Sequence, residues 1–150
     1  MPVVPPVWKK AATRSSAGSS KVRRLCLQAL AAASPRVSVD HYGITVEGRP
    51  LIQVVVASEA HRADLEGILA RNRELVDPET PEARAREIAA TNPAVLYFTY
   101  GVHGNESSSP SAALWTAWDL ATDAAEVRGV LDSVVVVMDP VANPDGYDRY

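Results

Sequence analysis

The sequence has a single cysteine, Cys26, among its 150 residues. One thiol cannot form an intramolecular disulfide, so a disulfide-stapled secreted scaffold and a cysteine-rich structural zinc site are both excluded. No stretch approaches the roughly 18 consecutive apolar residues that a membrane-spanning helix needs. With 22% charged residues and a mean hydropathy of −0.06, the composition also excludes a collagenous or wholly disordered chain.

Charge is distributed unevenly along the chain, although the net charge is only −3. Residues 1–40 carry seven basic side chains and one acidic side chain, Asp40, whereas residues 41–150 carry eight basic and seventeen acidic side chains. Residues 1–20 contain prolines and a serine- and glycine-rich run without helical or strand periodicity. We predict a disordered basic arm over 1–20 that is solvated and has no nucleic-acid partner.

Residues 21–34 have apolar side chains at helical spacing, with Ser20 as a cap and Pro35 after the end. The predicted buried face consists of Val22, Leu25, Cys26, Ala29, Leu30 and Ala33. A secretory signal is the alternative, because Arg23 and Arg24 precede an apolar stretch that ends in Ala-Ala-Ala-Ser. That stretch is short, contains Gln28 and begins late, which favours the helix.

The rest of the chain alternates strand-like and helix-like segments. Residues 37–42 alternate, while 51–57, 95–102 and 134–138 are continuous runs typical of strands buried on both faces. Helices are predicted over 64–75, over 81–90 with Pro81 at the first helical position, and over 110–125. This pattern predicts an α/β layered sheet whose ligand site lies beyond the carboxyl ends of its strands.

Chemistry-bearing residues follow the third predicted strand, where the chain reads Gly-Val-His-Gly-Asn-Glu over 101–106. His103 and Glu106 are three residues apart, so a tight turn can direct both side chains into one crevice. An imidazole and a carboxylate are suitable zinc donors. The alternatives are a core histidine for His103 and, for Glu106, an acidic residue favoured near a helix N-terminus.

A second motif, Asn-Pro-Asp-Gly-Tyr over 143–147, follows the fourth predicted strand. Pro144 presets φ, Asn143 and Asp145 can form Asx turns, and Gly146 is predicted to supply a positive φ. These residues predict a turn, placed at the same edge of the sheet as His103.

Together, Tyr-Gly-Ile-Thr-Val-Glu-Gly-Arg-Pro-Leu over 42–51, the His103–Glu106 segment and the motif over 143–147 resemble the zinc carboxypeptidases of the carboxypeptidase A-like family. The resemblance runs from about residue 22 to the end. It implies a three-layer α/β/α fold with a mixed, mostly buried central sheet, and zinc ligation by His103 and Glu106. It further implies peptide or protein substrates, cleaved with zinc-activated water, and export from the cytoplasm.

The chain departs from the family pattern in two respects. Classical digestive members have an arginine in place of Asn105, and residues 143–146 would be a structural turn. The family's third zinc ligand and its general base would lie beyond Tyr150, so 21–150 is expected to be the truncated N-terminal portion of a catalytic domain. We expect weak zinc binding, little or no hydrolysis, and self-association through an exposed sheet edge. His41 and His61 are interpreted as a strand-side and a surface histidine, not as ligands.

Two other classes remain open. In α/β-hydrolases a His-Gly segment after an early strand contributes to the oxyanion hole, but the G-x-S-x-G nucleophile motif of those serine esterases is missing. Ser107, Ser108 and Ser109 are instead interpreted as helix caps. The last alternative is a non-catalytic interaction module.

Overall fold

The computed structural model of the protein describes residues 19–150. The predicted arm lies outside the described residues except for its last two positions, where Ser19 caps the first helix and Ser20 begins it. The elements in chain order are α1 (Ser20–Ala33), β1 (Val37–Ile44), β2 (Pro50–Val56), α2 (Glu59–Ala63), α3 (Leu65–Leu75), α4 (Glu82–Thr91), β3 (Ala94–Thr99), α5 (Ser109–Thr122), β4 (Val134–Asp139) and α6 (Pro144–Tyr147).

The four strands form one mixed sheet in the order β1-β2-β4-β3. β1 pairs with β2 and β2 pairs with β4 in antiparallel fashion, whereas β3 and β4 are parallel and are connected through α5. Because β3 and β4 run in the same direction, their carboxyl ends meet at one edge of the sheet. The predicted mixed α/β sheet is confirmed.

Helices cover both faces of the sheet. On one face, α1 and α5 pack side chains such as Leu27, Leu114 and Ala117 against Val54 and Met138. On the other face, α3 contributes Ile68 and Leu65 to a smaller cluster around Val55, Val135 and Val137. The alternation of side chains along β2 and β4 places successive residues on opposite faces, which supplies both clusters from the same two strands.

The buried face of α1 differs from the prediction. Arg23, Leu27 and Leu30 are buried, whereas Leu25 is 50% exposed and Ala29 is also exposed. An arginine occupies the buried face because two of its three guanidinium nitrogens donate to the Tyr147 hydroxyl, Nε at 3.0 Å and Nη2 at 2.6 Å. A hydropathy pattern cannot anticipate a partner 124 residues away.

β3 is one of the two edge strands and its side chains are largely exposed, so the prediction that it is buried on both faces was wrong. Leu96 and Phe98 are each 40% exposed and Tyr97 is 54% exposed. β4, with an equally apolar sequence, is buried from Val135 to its end because it lies between β2 and β3. Burial therefore depends on strand order and not on composition.

Several predicted boundaries shift for local reasons. Asp64 separates α2 from α3, so the predicted helix over 64–75 is preceded by a short capped helix. Pro81 takes the N-cap position of α4 and not the first helical position. α5 ends at Thr122 because Asp123 adopts the left-handed conformation, φ 53°, and its carboxylate accepts from the Gly129 N–H. Across residues 19–150, no helix combines the length and apolar character needed to cross a membrane.

Candidate metal centre

The candidate site lies where the chain leaves β3 and β4. The segments after the two strands stay hydrogen-bonded to each other: Tyr100 N–H donates to the Asp139 carbonyl at 2.8 Å, and Ala142 N–H donates to the Tyr100 carbonyl at 2.8 Å. Asn143 N–H then donates to the Gly101 carbonyl at 3.0 Å. These bonds carry the parallel pairing beyond the sheet, so both motifs emerge together at its carboxyl edge.

His103 and Glu106 lie on a single turn in this segment. Glu106 N–H donates to the His103 carbonyl at 3.1 Å, and both residues are exposed. The turn is reached through Gly101, whose φ of 62° is unfavourable for other residues, and Ser109 Oγ accepts from the Gly101 N–H at 2.9 Å. The structure thus brings both predicted donors to one exposed turn.

The serines that follow do not cap α5 as predicted. Ser108 occupies the N-cap position without a side-chain capping bond, and the Ser109 hydroxyl accepts from Gly101 instead. The hydroxyl therefore fixes the start of the turn against the start of α5.

Close backbone packing holds this turn against α6. A Cβ atom added to Gly104 would lie 2.9 Å from Gly146 Cα and closer still to the Gly146 carbonyl group. Gly146 has no positive φ, contrary to the prediction. Its lack of a side chain matters instead because a Cβ there would lie 2.6–3.0 Å from atoms of the Asn143 side chain.

Asn143 connects α6 to the segment between β3 and the His103 turn. Its Oδ1 accepts from Gly146 N–H at 2.9 Å, which caps α6, and its Nδ2 donates to the Val102 carbonyl at 3.2 Å. Pro144 occupies the first turn of that helix, as its fixed φ favours. The predicted turn is therefore a short capped helix that also restrains the residue before His103.

A polar network joins the Glu-Gly-Arg-Pro and Asn-Pro-Asp-Gly motifs. Asp145 accepts from Thr45 Oγ1 at 2.7 Å and from Arg49 Nη1 at 2.8 Å. Arg49 also donates to Glu47 and, through Nε at 2.9 Å, to Asp148. We did not predict this network from the sequence; the only signal was the presence of complementary charges in two motifs about 100 residues apart.

The network lowers the pKa of two carboxylates. Hydrogen bonds from Arg149 and Arg49 hold the pKa of Glu47 below its usual value. Burial acts to raise the pKa of Asp145, but hydrogen bonds from Thr45, Arg49 and the Glu47 backbone outweigh burial and lower it. Both carboxylates therefore stay ionised to a lower pH in the folded protein than in the unfolded chain.

We expect the folded state to lose stability in acid because of these two groups. A carboxylate whose pKa is lowered on folding contributes its full stabilisation above the unfolded-state pKa, about 4, and loses it as the pH falls through the lower folded-state value. Urea unfolding at pH 7, 5 and 3 measures the effect. Asp145→Asn should flatten the pH dependence, whereas the same change at the exposed Asp132 should leave it intact. Equal slopes in all three proteins would contradict the assignment.

A buried carboxylate, that of Asp139, also lies at the carboxyl edge of the sheet. Asp139 ends β4 and is 7% exposed; its Oδ2 accepts from the Tyr97 hydroxyl, and its Oδ1 has no hydrogen-bond partner among residues 19–150. The hydrogen bond to Asp139, with burial, raises the pKa of Tyr97, and burial followed by the Asp139 charge raises that of Tyr42. This cluster was not predicted from the sequence, since one aspartate after a valine run carries no distinct signal.

The donor set fits zinc only in part. His103 and Glu106 have the right chemistry, but residues 19–150 contain no cluster of three or more His, Cys, Asp or Glu side chains that could hold a metal ion. His41 is exposed on β1, and His61 is half-buried in α2, where its backbone N–H donates to Ser58 Oγ at 3.2 Å. Catalytic zinc sites have three protein ligands, and the described residues supply two candidates.

Known carboxypeptidases resemble this chain in sequence over a short stretch and in fold over most of its length. Over 55 residues, 35% of this chain and 13% of the relative, the sequence is 38% identical to carboxypeptidase A4 of Mus musculus. Carboxypeptidase A from Helicoverpa armigera superposes with a TM-score of 0.60 at 21% identity, covering 87% of this chain and 25% of that one. A metallo-carboxypeptidase from Burkholderia cenocepacia gives 0.56 at 21% identity, over 87% and 28%.

Bovine thrombin-activatable fibrinolysis inhibitor, solved in complex with a tick carboxypeptidase inhibitor, gives a TM-score of 0.59 at 18% identity and covers 87% of this chain. The chain spans about a third or less of the length of these structures. These comparisons do not favour the serine-esterase and interaction-module alternatives. The model of the zinc carboxypeptidase family matches residues 24–150. The chain therefore belongs to the zinc carboxypeptidase family.

Proposed function

We propose that His103 and Glu106 are two zinc ligands of a metallocarboxypeptidase that hydrolyses peptide or protein substrates. The observation that carries the proposal is their position on one exposed turn at the carboxyl edge of the sheet, fixed by Gly104, Gly146 and Asn143. When bound, zinc polarises a carbonyl group and lowers the pKa of its water ligand. We assign no catalytic role to residues 143–146, whose bonds position the turn.

The contribution of this chain is to hold the two donors in place before a metal arrives. The turn is restrained at its start by Gly101 and Ser109, in its middle by Gly146, and through Val102 by Asn143. A donor pair held in one geometry loses less conformational freedom on binding than a mobile pair. Residues 1–18 contain no His, Cys, Asp or Glu that would add a side-chain ligand. We therefore expect the 150-residue chain to bind zinc weakly and to hydrolyse little or no peptide.

Zinc titration of the chain with isotopically labelled histidine tests the ligand assignment by NMR. We expect zinc to shift the His103 imidazole signals, and Glu106→Gln to weaken that response. His103→Ala should abolish the zinc response, whereas His41→Ala, which removes an exposed histidine of β1, should retain it. A response confined to His41 or His61 would refute the assignment. Tight stoichiometric zinc binding together with peptidase turnover would refute the expected weak binding and inactivity.

We also propose that the chain self-associates through the exposed edge of β3. The edge carries apolar side chains and lacks the charges, prolines and bulges that protect edge strands. Leu96→Lys should shift the protein towards the monomer in light scattering, while Ala90→Lys, on an exposed position of α4, should not. A monomeric wild-type protein at the same concentration would contradict self-association.

The location of the protein is proposed from the family alone. By analogy with exported members we place it outside the cytoplasm. Fractionation of cells that produce the native gene product tests this, and recovery only with cytoplasmic markers would refute it.

A further inference from the structure

A pocket of about 270 Å³ lies apart from the His103 turn, between the first turn of α1, the turn that joins β1 to β2, and the segment after β4. Four basic side chains line it, together with one acidic side chain and an apolar wall that includes Ile52. The basic residues are Lys21, Arg23, Arg24 and Arg49, and the acidic residue is Asp148.

Both carboxylate oxygens of the acidic residue, Asp148, already accept hydrogen bonds within the chain. Asp148 Oδ1 accepts from the Ser20 N–H at 2.7 Å, while Oδ2 accepts from Ser20 Oγ at 2.8 Å and from Arg49 Nε at 2.9 Å. Asp148 therefore helps to neutralise Arg49, which also contacts Glu47 and Asp145. Lys21, Arg23 and Arg24 form no ion pair with any of residues 19–150.

Arg23 is the most confined of these cations, with 7% of its surface exposed. Its only described side-chain hydrogen bonds go to the Tyr147 hydroxyl, a neutral group, and its guanidinium carbon lies 5.3 Å from the centre of that ring. Its Nη1 is buried and has no hydrogen-bond partner among residues 19–150, and the same holds for Nε of the neighbouring Arg24. Because a buried charge is poorly screened, Arg23 imposes a fixed positive potential on the pocket.

The undescribed residues cannot neutralise this charge with a side chain, since residues 1–18 contain no aspartate or glutamate. The first turn of α1, a helix of 14 residues, adds the positive end of its dipole at the same place. The pocket therefore keeps an excess of positive charge, which favours the binding of an anion.

We propose that this pocket binds an oxyanion, a carboxylate or a phosphate. Arginine recognises both groups through paired N–H donors. Lys21, which is exposed, and Arg24, which is half-buried, supply the direct contacts, and the buried Arg23 supplies long-range attraction. The site does not involve His103 or Glu106, so it is independent of the proposed zinc ligation.

Metal is first removed with a chelator, which is then itself removed. The metal-free chain is titrated with inorganic phosphate, acetate and a glutamate-rich peptide at constant ionic strength. Backbone NMR shifts of α1 and thermal stability are the measurements. We expect saturable binding of phosphate or of the carboxylates, weakened about tenfold or more in the double variant Lys21→Met, Arg24→Met. Arg86→Met, which changes an exposed arginine of α4, is the control and should bind like the wild type.

Each outcome bears on the proposal. Binding of phosphate or acetate identifies a site for free anions, and binding of the peptide alone identifies a site for acidic side chains; both support an oxyanion pocket. Absence of saturable binding with all three probes would overturn it. So would equal affinities in the wild type, the double variant and the control. Because zinc is excluded throughout, the result does not depend on the metal ligands.

Discussion

Gly104→Ala is expected to lower the free energy of unfolding by about 1–3 kcal/mol, the usual range for forcing extra atoms into a packed site. The added Cβ would meet backbone atoms of Gly146, 2.9 Å away or closer. Backbone atoms cannot rotate aside as a flexible side chain does, and Gly146 is further restrained by its bond to Asn143. The turn and α6 must therefore separate.

Separation would also displace the two proposed zinc donors, which flank Gly104 on the same turn. The zinc-induced shift of His103 should accordingly weaken in Gly104→Ala. Urea unfolding and the NMR titration measure the two effects. Gly43→Ala is the matched control, because a Cβ there would lie at an ordinary 3.4 Å from a Leu51 methyl group. Equal stability and equal zinc response in the two variants would show that the close approach has no consequence.

Asn143→Ala is expected to lower the free energy of unfolding by about 1–2 kcal/mol and to weaken zinc binding about tenfold. The stability loss arises because the variant removes the side-chain cap of α6. The loss of zinc affinity arises because the Val102 carbonyl, one residue before His103, loses its side-chain donor. Urea unfolding measures the loss of stability, and the NMR zinc titration measures the loss of zinc affinity.

Asn143→Asp separates these two roles. An aspartate retains an oxygen that accepts from Gly146 N–H, so the cap and most of the stability should remain. It has no donor for the Val102 carbonyl, so the zinc response should fall as it does in Asn143→Ala. If Asn143→Asp binds zinc like the wild type, the bond to Val102 does not position the turn.

The sequence predicted the existence and order of most elements, because periodicity and caps are local signals. The helix over 21–34, the alternation in β1 and the apolar runs of β2 and β4 all correspond to observed elements. The parallel pair β3 and β4 also follows from the pattern, since a helix separates two apolar strands. The position of His103 at the carboxyl edge was thus predictable.

Other features depended on partners that are distant in the chain. Arg23 lies on the buried face of α1 because Tyr147 accepts its hydrogen bonds, and Arg49 contacts Asp145 across 96 residues. The bond between Tyr97 and Asp139 likewise joins two strands. Periodicity describes the residues near a position, so none of these partners was predictable from it.

Local patterns were sufficient to predict the family motifs, the succession of strands and helices, and two candidate metal donors. Three further features depended on the folded structure: β3 is an exposed edge strand, Gly104 has no side chain that would clash with the Gly146 backbone, and basic residues of α1 line a pocket. Helices and strands were predictable because their formation depends mainly on residues close in the sequence. Burial, steric fit and charge balance depend instead on residues that are distant in the sequence and become neighbours only in the folded chain.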